Sequence, residues 1–381
     1  MADSKWVEPD LNFVRQLKAL GGDTLKKCYQ CATCSVVCPI SPDEKPFPRK
    51  EMIAAQWGLK DKLVGNMDVW LCHQCNDCST YCPRGARPGD VLNAVRAYSI
   101  QEYAWPSWLG KLVADSRLWW LLLGIPVALY LLLLGAIGHL HIPSGEIEFA
   151  KFFPTLLVDA IFIPLTGWVF LTFGIGISRF MTDTRQHAIA DGKAKRKDLN
   201  VPDFLRTIVC TLPIILRHSK FSECSTNKDR YLAHILVMYS FIGLFVVTNI
   251  FFVALYVLQI PGPYSQTNPV KILANVSGIA LIVGAILMMS NRVKDRDPDV
   301  GKGSYFDWSL LILVLGLGIT GELSQLTRLA HMPVVAYPMY FAHLVFVFCL
   351  FTYLPFSKLA HLVYRTLAMS YSRYCGREPL E

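Results

Sequence analysis

From Leu118 onward the chain alternates long apolar stretches with shorter polar ones, whereas residues 1 to about 105 mix charges, Gly, Pro and Cys. The first part holds no uncharged stretch long enough to cross a bilayer. The apolar stretches fall at about 118–138, 153–178, 231–259, 272–291, 308–327 and 336–357. Each is close to the roughly 20 residues with which an α-helix spans a hydrocarbon core. Six transmembrane helices are predicted. The chain then divides into a soluble part at 1–105, an interfacial linker at 106–117 and a membrane part at 118–381. One further apolar patch, LRTIVCTLPIILRH at 205–218, is too short to span and is expected to lie along the membrane surface.

Composition agrees with this division. The 381 residues are 53% hydrophobic and 17% charged, too apolar for disorder. The net charge of +8, from 37 Lys and Arg against 29 Asp and Glu, could signal nucleic acid, an anionic membrane face or acidic partners. Placement decides among them: Arg179 to Arg230 carries 11 Lys and Arg, Arg292 to Tyr305 carries 4, and Lys358 to the end carries 4. The opposite loops hold one each, Lys151, Lys271 and Arg328. The positive-inside rule therefore puts both termini in the cytoplasm, in a multi-pass protein of the cytoplasmic membrane. Topology absorbs the excess charge, and no RNA- or DNA-binding module is legible, so nucleic acid is not an expected partner. The start, MADSKWVEPD, lacks a basic n-region and an apolar h-region, and no Sec signal is expected there.

Of twelve cysteines, eight lie between Cys28 and Cys82, while Cys210, Cys224, Cys349 and Cys375 are scattered. Clustering of this kind points to metal rather than disulfides. The runs Cys28, Cys31, Cys34, Cys38 and Cys72, Cys75, Cys78, Cys82 are each followed by Pro, giving CxxCxxCxxxCP twice. Three thiolates at that spacing wrap one face of a cubane, and the fourth reaches the other cluster in two-cluster ferredoxins. The expected sets are Cys28, Cys31, Cys34 and Cys82 for one 4Fe-4S cluster, and Cys72, Cys75, Cys78 and Cys38 for the other. Structural zinc also takes four thiolates, but its modules rarely place four cysteines in one run before a proline, twice. Between the runs, FPRKEMIAAQWGLKDKL shows helical spacing at Met52, Ile53, Gln56 and Leu59 to Leu63, so the domain is expected to be an α-helical two-cluster ferredoxin type.

The segments CYQCATCSVVCP, PRKEMIAAQWGL and VWLCHQCNDCSTYCPRG together resemble the small iron-sulfur subunit, the C component, of heterodisulfide reductases, over roughly residues 8–105. The rest of the chain resembles that enzyme's cytochrome b component, and through it the gamma subunit of respiratory nitrate reductase. A single chain fusing the two is similar to the membrane subunits of quinone-interacting membrane-bound oxidoreductases (Qmo) of sulfate reducers. The resemblance implies an all-α protein, a two-cluster ferredoxin domain followed by a six-helix transmembrane cytochrome b domain. It also implies electron transfer between menaquinone and soluble flavin/iron-sulfur subunits resembling heterodisulfide reductase A, with adenylylsulfate reductase beyond them in dissimilatory sulfate reduction. A membrane subunit of a heterodisulfide- or sulfite-linked reductase is the second reading. A non-redox anchor or transporter is the third.

Of nine histidines, His234, His343 and His361 lie in or at the ends of predicted spans, where a lone His is costly and marks function. Haem b is the leading assignment. His234 and His361 fall at the same, cytoplasmic depth and are paired around one haem. His343 and His361 are 18 positions apart in sequence, five helical turns that would set them on one face about 27 Å apart and suit a second, outer haem. The nitrate-reductase pattern places another histidine ten residues after the first, but this chain has Leu244 there. His139, His141 or His331 could complete the outer site; otherwise His343 only bonds between helices.

Asp159 and Glu322 are carboxylates inside spans, placed toward the outer face, and Gln325, Arg328 and His331 follow Glu322. Such groups can exchange protons with a quinone head group, or can simply pair to fix helix packing. Gly316, Gly318 and Gly321 spell GxGxxG inside an apolar span, where close helix packing explains them better than a dinucleotide. Trp105, Trp108, Trp119 and Trp120 read as an interfacial aromatic belt. No flavin or nucleotide motif is present, and no catalytic site for a soluble substrate is expected in this chain. The chain is expected to act as one subunit of a quinone-linked oxidoreductase.

Overall fold

The computed structural model describes residues 8–194, 196, 198–218, 230–294 and 304–377, and among these there are helices, turns and loops but no strand. Six helices are long and apolar enough to cross a membrane: Trp119–Ala136, Thr155–Ala190, Arg230–Tyr256, Pro269–Lys294, Tyr305–Leu329 and Pro333–Tyr353. These are numbered spans one to six below. They coincide with the six apolar stretches of the sequence and leave large apolar side chains such as Leu156, Phe170 and Phe245 exposed. Lipid is the solvent that tolerates such a surface. The small residues of GxGxxG are helix contacts: a Cβ on Gly316 would meet the Phe346 ring at 2.6 Å, and one on Gly318 would meet Ile282 at 2.8 Å.

The segment 106–117 contains a short helix, Ser107–Ala114, in which Trp108 is exposed. The patch at 205–218 forms the end of the helix Val201–Arg217, capped by the Asn200 side chain on the Asp203 amide. Its Leu205, Val209, Leu212 and Leu216 form an exposed apolar stripe, while Phe204, Thr207 and Thr211 are buried.

Two helices differ from the sequence expectation. Span two continues as helix to Ala190, a dozen residues past the predicted end at 178, because Phe180 and Ala188 have a protein core to enter there. The helical segment expected within 47–63 is broken into Arg49–Gln56 and Lys60–Leu63 by Gly58, at φ +69°. A Cβ at Gly58 would stand 2.7 Å from the Asp10 carbonyl, so the close approach and the left-handed backbone both require glycine.

The cysteine-rich part is built around the helix Pro88–Tyr103, almost every residue of which is buried. Its core contains Phe13, Leu17, Met52, Trp70, Val95 and Ile100, but also Phe180 from span two, Phe306 from span five, and Tyr364 and Ala368 from the last helix, His361–Tyr374. Trp70 meets Phe180 edge-on at 5.7 Å and Tyr364 at 5.5 Å. Sequence-distant segments on the cysteine-bearing side thus share one core. Burial of these aromatic rings, at about 25 cal/mol per Å² of apolar surface, fixes the cysteine-rich part against the helix ends.

Candidate functional site

The two cysteine runs fold alike. In each, the residue two after the first cysteine and the residue just after the second adopt positive φ: Gln30 (62°) and Ala32 (71°), then Gln74 (53°) and Asn76 (68°). This turns the backbone so that the Gln30 amide donates to Cys28 Sγ at 3.4 Å and the Gln74 amide to Cys72 Sγ at 3.3 Å. The Ala86 amide donates to Cys82 Sγ at 3.3 Å. Polar side chains, of which Arg96 is buried, hold the loops by their carbonyls. Gln56 donates to the Leu25 and Cys28 carbonyls, Arg96 to those of Val69 and Cys72, and Arg230 at the head of span three to that of Gln74.

The thiols group across the runs. Burial drives the Cys34 thiol up to about 11, and Cys28, Cys31 and Cys82 add repulsion. Burial likewise takes Cys38 to about 12, with repulsion from Cys72 and Cys75. Cys78 is raised by burial and then by Cys72, Cys38 and Cys75. Cys38, Cys72, Cys75 and Cys78 line one cavity. Thiols so reluctant to ionise alone become thiolates when a metal centre supplies the positive charge. Among the described residues no three His, Cys, Asp or Glu side chains converge on a single ion position. Zinc would hold four thiolates at about 2.3 Å each; thiols spaced around a cavity fit the larger iron-sulfur cluster better.

The histidines form a second group. Ring centroids of His234 and His361 are 6.5 Å apart, with planes at 79°. A metal bound to one nitrogen of each ring at about 2.0–2.1 Å would set the centroids about 6 Å apart, so this pair fits axial ligation of a haem iron. His361 Nδ1 is hydrogen-bonded to the Lys358 carbonyl, and His234 Nδ1 lies 2.7 Å from His218 Nε2. Engaging one nitrogen this way fixes ring orientation for a ligand at the other. Burial lowers His361 to about 3, so that ring is neutral, as ligation needs. His234 and His361 also line a cavity of about 240 Å³ with Arg230, Arg292, Lys358 and Arg365. Of these cations, Arg292 and Lys358 are paired with Asp307 at the cavity wall.

His73, next in sequence to Cys72, lines the cavity of the second thiol set and both cavities that contain His234 and His361. Neither His73 nor His218 figured among the sequence candidates. His73 was masked by the cysteine motif around it, and His218 lies outside every span. Its position at the end of the surface helix, level with the start of span three, was the available signal.

The remaining candidates are not brought together as expected. Span six ends at Tyr353, and two 3₁₀ turns, Leu354–Phe356 and Lys358–Ala360, precede the helix that begins at His361. Pro355 and the extended Ser357 (ψ 174°) interrupt the helical ladder, so His343 and His361 do not share one helix face. His343 packs against Gly321, and its Nδ1 lies 3.1 Å from the Leu317 carbonyl and 3.3 Å from Thr320 Oγ1. His139 and His141 lie beyond the end of span one with centroids 6.3 Å apart, and His331 follows span five at φ 54°. None of the three is among the described contacts of His343.

Glu322 lies against Gly278 of span four, and Lys271 is close enough for the two charges to act on each other. Gln325 donates to Asn275 Oδ1 at 2.9 Å and to Gln266 Oε1 at 3.2 Å. Arg328 is a second cation beside Lys271. Asp159 accepts instead from Tyr256 at the end of span three, and His331 is exposed. Cys210, Cys349 and Cys375 stand apart from the thiol sets, and Cys224 lies outside the described residues.

The folded segment with the paired cysteine runs is a 4Fe-4S dicluster domain: the family model of that description matches residues 24–86. The chain is thus an all-α protein that joins this domain to six candidate membrane helices. Among curated proteins, it is 38% identical over 88 residues to the C component of the H(2):CoB-CoM heterodisulfide,ferredoxin reductase of Methanothermobacter marburgensis, covering 23% of this chain and 47% of that one. The protein of the same description from Methanothermobacter thermautotrophicus is matched to the same extent, also at 38%. A protein of Archaeoglobus profundus described as like the C component of heterodisulfide reductase is 32% identical over 105 residues, 27% of this chain and 56% of that protein. The chain spans about half the length of the curated relatives it matches. No solved structure matches it.

Proposed function

We propose that this chain is the membrane electron-transfer subunit of a quinone-linked oxidoreductase of the Qmo kind. Cys28, Cys31, Cys34 and Cys82 would hold one 4Fe-4S cluster, Cys72, Cys75, Cys78 and Cys38 the other, and His234 and His361 a haem b. When bound, these groups supply one-electron carriers; the chain's own residues set their spacing, their exposure to water and the hydrogen bonds that tune them. The observation that carries the reading is His73. One side chain lies at the wall of a four-thiol cavity and of the His234–His361 cavity, so carriers held in the two would be neighbours.

Glu322, Gln325 and Arg328, joined by Lys271, Asn275 and Gln266, form the polar group that would exchange protons with menaquinone. Asp159 and His331 are secondary to it. Electrons would pass between that pool and soluble flavin/iron-sulfur subunits resembling heterodisulfide reductase A, and in dissimilatory sulfate reduction onward to adenylylsulfate reductase. Similarity to heterodisulfide reductase C supports a complex with other reductase subunits. The cysteine-rich part, residues 1–105, would face the cytoplasm, together with the basic loops of residues 106–381.

The test is a haemochrome and iron assay on the anaerobically purified chain, with quinol-reduced spectra of wild type, His361→Ala and Glu322→Gln. One b haem and about eight iron-sulfur irons per chain are expected, with haem lost in His361→Ala and quinol reduction slowed in Glu322→Gln. A wild-type chain without haem overturns the reading. One haem that survives His361→Ala moves the ligand elsewhere.

A further inference from the structure

The two thiol sets differ in what surrounds them. Cys72 and Cys78 are buried, and their loop is roofed by Arg96, Arg230 and the His73 cavity on the side of the membrane helices. Cys31 of the other set is exposed. So are three large apolar side chains, each within two positions of a ligand of that set: Tyr29 (69%), Val36 (83%) and Tyr81 (58%). Apolar side chains do not stay on a soluble face by burial preference, and a group of them around one redox site marks a contact surface.

Cations predominate within the two segments that bear these ligands, with Asp23, Asp43, Glu44, Asp77 and Asp90 just outside them and Asp90 paired with Arg87. Segments 24–42 and 78–89 contain Lys26, Lys27, Arg84 and Arg87 and no Asp or Glu. Arg84 stacks 4.2 Å over the Tyr29 ring, which keeps its cation at the surface and the ring in place. Arg49 donates to the Gln30 carbonyl at 3.0 Å and acts electrostatically on Cys28 and Cys31. An apolar centre with a cationic rim complements an apolar centre with an anionic rim.

We propose that the face formed by Tyr29, Val36, Tyr81, Arg49 and Arg84 is the docking surface for the soluble redox partner. That partner is an electron-carrying protein with acidic residues around its own surface-exposed centre. This deepens the function proposed above and rests on its assignment of Cys28, Cys31, Cys34 and Cys82 to a cluster. Electrons would enter or leave at that cluster, one at a time and without bond making, while the Cys38, Cys72, Cys75 and Cys78 cluster stays on the membrane-helix side.

A reduced, acidic plant-type ferredoxin is a suitable probe, since its low potential makes it a donor to most clusters. It would be mixed by stopped flow with the full-length, oxidised chain in detergent, following cluster bleaching. The second-order rate is expected to fall with rising salt and to drop at least about tenfold in Arg49→Glu/Arg84→Glu, with a similar loss in Val36→Asp. A small viologen radical should reduce wild type and variants at comparable rates. Equal ferredoxin rates in wild type and charge-reversed chain overturn the proposal. Should the variants fail to hold iron, the wild-type salt dependence decides alone, and a flat profile overturns it. Ferredoxin reduction that obeys these expectations in a chain quinol cannot reduce would leave this surface standing and remove the quinone reading.

Discussion

Lys193, at the end of the long second helix, places its ammonium 3.1 Å from the carboxylate of Asp68 in the cysteine-rich part, and the two side chains are 2% and 0% exposed. Asp68 also meets Arg377 near the C-terminus and Lys50, while Lys193 bonds to Asp191 at 2.8 Å and to Asn66 at 3.1 Å. Burial alone would raise Asp68, yet the three cations hold its carboxyl below the usual carboxylate range. Asp307 plays the same part on the other flank, joining Lys358, Arg292 and Asn93. These networks clamp the cluster domain onto the membrane helices.

Breaking such a clamp on one side strands a charge. Asp68→Asn takes the carboxylate from Arg377 and one of two carboxylates from Lys193 in a dry site, at a cost of about 3–5 kcal/mol. The thermal midpoint of the detergent-solubilised protein should fall sharply. Lys193→Met in the same chain should recover part of the loss, and independent effects of the two changes would show that the pair does not couple.

Glu51 should make stability fall with rising pH. Burial, reinforced by Asp68, pushes its carboxyl up to about 8 against the ordinary 4.5, while Lys50 and Lys193 act in the opposite sense. The folded chain therefore binds a proton that the unfolded chain has already released between about pH 4.5 and 8, and this contribution to stability is lost as pH rises through that window. Glu51→Gln should flatten the slope and stabilise the protein near pH 8. An unchanged slope of thermal midpoint against pH would assign it to other groups.

Under the proposed crosswise ligation, the fourth cysteine of each run would report on the other run's cluster. Cys82→Ala should disturb the exposed cluster of Cys28, Cys31 and Cys34, and Cys38→Ala the buried one. Electron paramagnetic resonance of the reduced chain should then lose different signals in the two variants. Loss of the same signal in Cys82→Ala as in Cys75→Ala would show ligation within a run.

His218 is positioned to orient His234 through the 2.7 Å contact between their rings. Under the proposed haem assignment, His218→Ala should keep the haem but weaken its retention about 10–100-fold and shift its midpoint potential, whereas His361→Ala should remove it. Redox titration with haemochrome quantitation distinguishes the two, and a His218→Ala chain indistinguishable from wild type would make the contact incidental.

Much was legible along the chain itself. Period and length marked all six candidate spans, and the CxxCxxCxxxCP spacing, with the helical segment between the runs, marked a dicluster domain matched at residues 24–86. The expectation that His343 and His361 ride one helix face shows where such reading stops. Counting residues assumes an unbroken helix, and Pro355 with Ser357 supplied the interruption.

Hydrophobic period and ligand spacing are local quantities, fixed by which residues are within a turn or a motif of each other, and the sequence by itself determined everything that depends on them. Tertiary structure decided what depends on docking: the meeting of His218, His234 and His361, the position of His73 between two cavities, and the burial of Lys193 against Asp68. Those residues come from separate helices and loops, and only a shared core, by excluding water from between them, brings the charges and rings into contact.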